Sequence, residues 1–430
     1  MIMIKVEKSS EQIQSHGGIF FTHELFKRHG IDKLIDQHLG KRVSLIGYDY
    51  SDILLSLIYS QHCGATCIED IHQLREEFSN HPQFKICSPD TVLRCLNELK
   101  TENTIHLSRQ GVEHEFNSNK KLNDLLMQMI LETKALTPAQ PYTLDYDNTV
   151  TVCNKYDAKR SYKMNEGYQP GVASINQIPI YIEGRNGNSN AKYKITETLS
   201  EVFESAEKYN IQIKKFRSDS AAYQKETIEL MRDRNVTFYI RNVASADLKM
   251  HIKKITQWKQ IEYNYQSIEL AEMWYAPFGD EKKYRIIIQR KKNNTSQVDV
   301  FSETTYDYYA IITNDETAIP EDIFAFYNQR GGASENVIDI LKNDFNWNHL
   351  PCSFLSQNTV FMILSTISYV LFIWMKTIIC KYLKGITQQG RLKQYLFKFI
   401  NVATKWIHSG RQIILKVFSD RGYEFIPLKI

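Results

Sequence analysis

The sequence predicts an α/β protein in which a mixed sheet is flanked by helices, preceded by an all-α N-terminal domain and interrupted by a β-rich insertion. Three observations carry this reading. Over residues 1–135 apolar side chains recur at three- and four-residue spacing, the period of a helix. From Pro141 the pattern switches to alternation, and strand-like and helix-like runs then take turns to about residue 242. Between residues 243 and 320 strand-like runs stand without intervening helices. The expected domains are therefore 1–135, a core made of 136–242 and 321–430, and an insertion at 243–320.

The N-terminal helices are expected at Asp32 to Leu39, Ser51 to Ser60 and Cys67 to Phe78. A further one begins at Ser88-Pro89-Asp90. Ser88 suits the cap, Pro89 the first helical position, and Asp90 the positive end of the dipole. Two short helices joined by a turn, with Thr91 and Arg94 near the start of the second, match a helix-turn-helix reader with Arg94 as a DNA contact. A plain helical bundle fits the same residues.

In the core, strands are expected at Tyr142 to Asp147, Gly171 to Ile175, Ile178 to Glu183, Ile211 to Ser218 and Val236 to Arg241. Helices are expected at Ile195 to Tyr209 and Ala221 to Arg232. The order β-β-β-α-β-α-β is that of a ribonuclease-H-like fold. In the insertion, Tyr284 to Arg290 and Tyr308 to Ile312 read as strands. Basic runs stand at Lys282-Lys283 and Arg290-Lys291-Lys292, with Asn293-Asn294-Thr295-Ser296 as a surface turn. Helix returns at Ile323 and is expected to dominate to the end.

Charge is unevenly spread along the 430 residues. From Lys376 to Ile430 there are eleven Lys and Arg against Asp420 and Glu424, so this end carries 11 − 2 = +9 of a net +4, leaving 4 − 9 = −5 elsewhere. A basic end on an otherwise acidic chain suggests a polyanion contact, because each cation that meets a phosphate releases condensed counterions. Seven cysteines form no disulfide framework, and Cys63, Cys67 and His72 have no second pair at zinc spacing. A reducing cytoplasm is the expected compartment, and the charged start, Met1 to Ser10, has no apolar signal core. Val360 to Met375 is almost wholly apolar but short for a span, so a buried helix and no membrane are expected.

The chemistry is expected from carboxylates. Asp145 and Asp147 lie two apart on one strand and so share a face. Asp219 ends another strand, in Arg217-Ser218-Asp219. Acids at the carboxyl ends of two strands make an oxygen-rich place for a hard divalent cation. The third element is Tyr327-Asn328-Gln329-Arg330-Gly331-Gly332-Ala333-Ser334-Glu335, where Ser334 is expected to cap a helix starting at Glu335. Glu335, Asp339 and Lys342 would then share one face.

These residues resemble the DDE transposases of bacterial insertion sequences, specifically those with a Tyr-Arg-Glu-Lys signature. In that family the signature runs Tyr, two residues, Arg, three residues, Glu, six residues, Lys. Tyr327, Arg330, Glu335 and Lys342 match it, except that four residues separate Arg330 from Glu335. The family's Asp-x-Thr context picks Asp147-Asn148-Thr149, with Asp145 as the competitor, and Asp219-Ser220-Ala221-Ala222-Tyr223 resembles its second acidic motif. Gly167-Tyr168-Gln169-Pro170-Gly171 and Arg185-Asn186-Gly187-Asn188 resemble its inter-strand segments. The resemblance covers roughly residues 140–420.

It implies metal-dependent cleavage at terminal inverted repeats and strand transfer into target DNA. Asp147, Asp219 and Glu335 would be ligands of two Mg2+ (or Mn2+) ions. Tyr327, Arg330 and Lys342 would hold the DNA backbone, and synapsis of two ends implies a homodimer. Two other readings share the site: a metal-dependent, structure-specific nuclease without target joining, and a catalytically silent DNA-binding derivative.

Overall fold

The computed structural model describes residues 4–42, 47–79, 81, 84–243, 245–292 and 306–427. The chain divides into two compact units, Met1–Thr101 with Ile340–Ile430, and Glu102–Asp339. These bounds differ from those expected from the sequence, and local structure explains why. Residues 102–135 are not purely helical: Thr104–Leu107 and Glu113–Asn117 form a hairpin before the helix Lys120–Glu132.

The second unit is built on one mixed sheet of eleven strands. In chain order they are β1 (Thr104–Leu107), β2 (Glu113–Asn117), β3 (Pro141–Asn148), β4 (Gly171–Ile175), β5 (Ile178–Arg185) and β6 (Gln212–Ser218). Then come β7 (Thr237–Asn242), β8 (Lys259–Tyr263), β9 (Gln266–Tyr275), β10 (Tyr284–Lys292) and β11 (Tyr306–Thr313). Their spatial order is β1-β2-β5-β4-β3-β6-β7-β11-β10-β9-β8. The five core strands expected from alternation are all present and adjacent. β3 runs antiparallel to β4 and parallel to β6, and β6 runs parallel to β7.

β4 and β5 are buried along their whole length, as strands covered on both faces should be. Gly171 opens β4 where a Cβ would stand 2.3 Å from the Tyr146 hydroxyl oxygen, so only glycine lets β4 start against that ring. The helices Ile195–Lys208 and Lys225–Asp233 supply the crossovers to β6 and β7. The first buries Ile195, Leu199, Val202, Phe203 and Ala206, a single stripe at helical spacing.

The insertion is not a body apart. β11 pairs antiparallel with β7, so β8 to β11 continue the core sheet. The helix Ala246–Lys253, capped by the Ser245 hydroxyl, and strands β8 and β9 were not foreseen in it. The expected turn at Asn293-Asn294-Thr295-Ser296 lies outside the described residues. The helix Pro320–Arg330 covers this part of the sheet, and Ile323 and Phe324 pack with Tyr239, Ile268, Leu270, Ile287 and Ile311.

The first unit is mainly helical. Ile31–Leu39, Tyr50–His62, Ile71–Glu77 and Pro89–Glu98 fall where helical spacing places them. Ser88 caps the last of these by accepting from the Thr91 N–H at 3.3 Å. The helix-turn-helix expectation is corrected, because residues 78–88 separate the two helices and that motif needs a turn of about three or four residues. Leu355–Ile379 is long and apolar enough to cross a membrane by length and composition, yet 78% of its most apolar window is buried inside the protein. Several of its polar groups are satisfied there: Gln61 donates to the Ser365 hydroxyl at 2.9 Å, and Thr359 and Thr366 donate back to carbonyls four residues earlier.

Helix does not dominate to the end. Thr404–Ser409 and Gln412–Val417 form a hairpin, which the residues Gln14 and Thr404 tie to the N-terminal segment through two backbone hydrogen bonds of 2.9 Å. All seven cysteines are free thiols, and burial pushes Cys63 and Cys95 up, so both stay protonated.

Candidate active site

Strand register aligns the first polar row of the site. Asp145 of β3 stands beside Arg217 of β6, which stands beside Tyr239 of β7. Asp145 is 3% exposed, and Arg217 grips it with both arms, Nε to Oδ1 and Nη2 to Oδ2, each at 2.7 Å. The remaining arm of Arg217 donates to the Phe326 carbonyl at 2.6 Å, and its guanidinium lies 4.6 Å from the Phe326 ring centre. Burial pushes the Asp145 carboxyl up, against the pull of Arg217. Asp145 and Arg217 therefore form a neutral strut between the sheet and the helix Pro320–Arg330.

Two residues further along β3, on the same face, stands Asp147. Its Oδ1 accepts from the Asn148 N–H at 2.9 Å. Its Oδ2 lies 2.9 Å from Nη2 of Arg330 and 3.5 Å from the Ser334 hydroxyl. Burial pushes the Asp147 carboxyl up, Arg330 draws it down, and Asp219 and Glu335 push it up again. Asp147 therefore shares one electrostatic field with both of the other acids proposed from the sequence. Asp219 follows β6 and accepts from the Ala221 N–H at 2.9 Å, which turns the chain into a short helical turn at Ser220–Ala222.

Tyr327 is half-buried and donates to the Ser218 carbonyl at 3.3 Å. Burial raises its hydroxyl, Arg330 and Arg241 oppose that, and Asp219 and Asp147 add to it. Arg330 is 8% exposed. Burial works against its charge, but Asp147, Tyr327, Asp219 and Asp145 outweigh that and hold it above its ordinary range.

The segment that carries Glu335 differs from expectation. Ser334 does not cap a new helix. Gly331–Glu335 is a single π turn that carries the helix Pro320–Arg330 directly into Asn336–Asn343. Ser334 instead donates to the Arg330 carbonyl at 3.2 Å. A π turn accommodates one residue more than an α turn, and such turns occur often at functional sites. The extra residue between Arg330 and Glu335 is thus taken up inside the helix rather than in a loop. Glu335 is exposed, with Oε1 turned back toward Gly331.

The structure brings Asp145, Asp147, Asp219, Tyr327, Arg330 and Glu335 into one unit. Lys342, half-buried on Asn336–Asn343, and Arg94, exposed on Pro89–Glu98, fall in the other. Arg217 was not singled out from the sequence, although it stands near the end of β6, two residues before Asp219. The signal for it is a cation at the position that parallel pairing sets beside a buried strand Asp.

A family model described as transposase DDE domain group 1 matches residues 2–425. The chain belongs to that family. DDE transposases are DNA-cleaving enzymes that use divalent metal ions. No curated protein matches the chain. A solved structure that does is the cryo-EM structure of a piggyBac transposase synaptic complex with hairpin DNA, 11% identical, covering 90% of this chain and 80% of that one with a TM-score of 0.43. In this transposase the donor set of Asp147, Asp219 and Glu335 suits a hard cation in kind, being all carboxylate oxygen. Their mutual repulsion is also of the sort that added positive charge relieves. Among the described residues, no three His, Cys, Asp or Glu stand close enough together to enclose an ion.

Proposed function

We propose that this transposase cuts DNA at terminal inverted repeats and joins the freed end to target DNA, with Asp147, Asp219 and Glu335 as the carboxylates that hold two Mg2+ (or Mn2+) ions. The observation that carries the reading is geometric: Asp147 on β3 is ion-paired to Arg330, Asp219 follows the neighbouring parallel strand β6, and Glu335 continues the helical path that bears Arg330. A divalent ion supplies activation of the attacking oxygen and stabilisation of the departing one. The chain's own residues supply the rest. Asp147, Asp219 and Glu335 provide the negative cradle, and Arg330 presents donors to the scissile phosphate, with Tyr327 beside it. Asp145 and Arg217 fix the distance between β3 and the helix that bears Tyr327 and Arg330.

A cavity of about 230 Å3 beside Tyr327 is lined by Arg241, Gln289, Tyr309, Phe324 and Asn328, a guanidinium-and-aromatic lining that suits a nucleobase. The synaptic form, which must hold two ends, is a homodimer in this reading. A nuclease lacking the joining step would use the same residues, and strand-transfer products separate the two.

The test is cleavage of DNA carrying the flanking inverted repeats, with Mg2+, by wild type, Asp219→Ala and Glu335→Ala. Nicking at the repeat boundary by wild type, with both variants binding but not cutting, is the expected result. Normal cutting by the variants overturns the assignment.

The basic C-terminal end has a concrete surface in this reading. Lys405 and Lys416 stand directly opposite each other in the terminal hairpin, with Arg411 exposed at its turn. Like charges directly opposite destabilise a two-stranded pair, and Lys405 has an acid beside it, Glu11 at 3.4 Å, whereas no ion pair to Lys416 is seen among the described residues. A phosphate backbone would offset that repulsion. Changing both to Gln is expected to weaken binding equally across DNA sequences and to lower the slope of log affinity against log salt by roughly two. Fluorescence anisotropy over a salt series measures this, and an unchanged slope removes the hairpin from the DNA path.

A further inference from the structure

We propose that Arg330 is the resident counter-cation of the carboxylate cluster in the DNA-free transposase, and that it yields this place to the divalent ion when a DNA phosphate takes its guanidinium. The inference rests on the carboxylate reading above and deepens it, because it makes metal loading conditional on DNA.

Three observations lead to it. First, both oxygens of Asp147 are occupied, Oδ1 by the Asn148 N–H and Oδ2 by Arg330 at 2.9 Å with Ser334 at 3.5 Å. An ion that takes Oδ2 meets Arg330 there, and two cations so close repel strongly. Second, the guanidinium is held by charge more than by hydrogen bonds. It is 8% exposed, yet Nε and Nη2 are buried with no well-formed hydrogen bond, although Nη2 is within ion-pair distance of Asp147. Buried donors left unmatched are costly, and a planar fork with open donors matches a phosphate. Third, the backbone next to Arg330 has room to adjust. A Cβ at Gly332 would meet nothing within 4 Å, and one at Gly331 would meet only Glu335 Oε1, at 4.0 Å. The π turn joins Arg330 to Glu335 across these two glycines.

The charge balance agrees. Asp145 and Arg217 cancel as a bidentate pair, which leaves Arg330 as the cation that Asp147 and Asp219 act on, while Asp147 also feels Glu335. Arg330 covers part of that negative charge and, being always protonated, does so at every working pH. It cannot cover all of it, so the cluster keeps an appetite for a divalent ion. If DNA and the ion both act through Arg330, linkage is reciprocal: DNA tightens the ion and the ion tightens DNA.

The test is Mn2+ binding to the full-length protein, read from the electron paramagnetic resonance signal of free Mn2+, with and without a short 5′-phosphorylated DNA duplex. Without DNA, Arg330→Gln is expected to bind Mn2+ about tenfold tighter than wild type or more, since a nearby like charge has been removed. Arg330→Lys, which keeps the charge, should stay near wild type, and Asp147→Asn should lose the site. Adding the duplex should tighten Mn2+ binding to wild type and do so much less for Arg330→Gln. If Asp147→Asn loses Mn2+ but Arg330→Gln binds as wild type does or more weakly, the exchange is wrong and the carboxylate site stands. If Asp147→Asn binds Mn2+ as wild type does, the carboxylate reading itself falls, and this inference with it. Should Arg330→Gln fail to fold, wild type decides: Mn2+ affinity indifferent to the duplex overturns the proposal.

Discussion

Asp147→Asn is expected to leave DNA binding in place and to lower metal-dependent cleavage by about a thousandfold or more. An amide keeps the size and the contact with the Asn148 N–H but withdraws the negative charge that Asp219 and Glu335 share with it. Losing several kcal/mol of transition-state stabilisation corresponds to that factor, at about 1.4 kcal/mol per tenfold. Stability responds in two opposed ways. Burial, Asp219 and Glu335 raise the Asp147 carboxyl despite Arg330, so the folded chain favours its neutral form more than the unfolded chain does. For a carboxyl raised on folding, stability is lost as pH rises from the ordinary carboxylate range through the raised value. Asn removes that penalty but leaves Arg330, 8% exposed, without its nearest anion, and this loss outweighs the gain, so the metal-free Tm of Asp147→Asn should fall below that of wild type without preventing folding. Asp145→Asn supplies the contrast: if Asp145 were the metal-binding acid of β3, it rather than Asp147→Asn would abolish cutting in a folded protein. Single-turnover cleavage together with thermal melts in EDTA separates the two acids.

The different surroundings of Asp145 and Asp147 mark where pattern reading stops. Alternation places both on one face of β3 and can go no further. What distinguishes them is the neighbour across the parallel pairing, Arg217, and register between β3 and β6 is set by the whole sheet, including an irregularity between Tyr142 and Thr143. Elements whose burial is one-sided or complete were legible: β3 to β7, the stripe of Ile195–Lys208, and the Ser88 cap. The hairpin of β1 and β2 was not, because Thr104–Leu107 is mostly exposed and its alternation of Ile105 and Leu107 is too short to mark a strand. It is held by neighbours, through Phe116 of β2 pairing with Arg185 of β5. The C-terminal hairpin was hidden for another reason. Its basic residues dominate the composition, and its apolar residues at Ile413, Ile414 and Leu415 form a run too short to distinguish strand from helix. The π turn was invisible because the glycine pair and Ser334 read as a loop followed by a cap. Only backbone continuity shows that Arg330 and Glu335 lie on one unbroken helical path.

Arg217→Met should be the most destabilising single change in the site, by about 3–5 kcal/mol, the usual penalty for breaking a buried ion pair by removing one partner. The side chains of Arg217 and Asp145 are 8% and 4% exposed, so water can replace neither contact. Without Arg217 the Asp145 carboxyl, already raised by burial, rises further and takes up a proton more readily. The sign of the pH dependence follows: the deficit is small in acid, where Asp145 is neutral, and grows as pH rises through the new value. Adding Asp145→Asn to Arg217→Met removes the buried charge and should recover most of the loss at neutral pH. Recovery of stability should not bring back activity. Arg217 also holds the Phe326 carbonyl, one residue before Tyr327 and four before Arg330, so the double variant keeps its sheet but loses the link that sets those two side chains against Asp147. A strut of purely structural importance predicts the opposite, full cleavage once the Tm is restored. Urea unfolding at two pH values, followed by cleavage on the rescued double variant, tells the two apart.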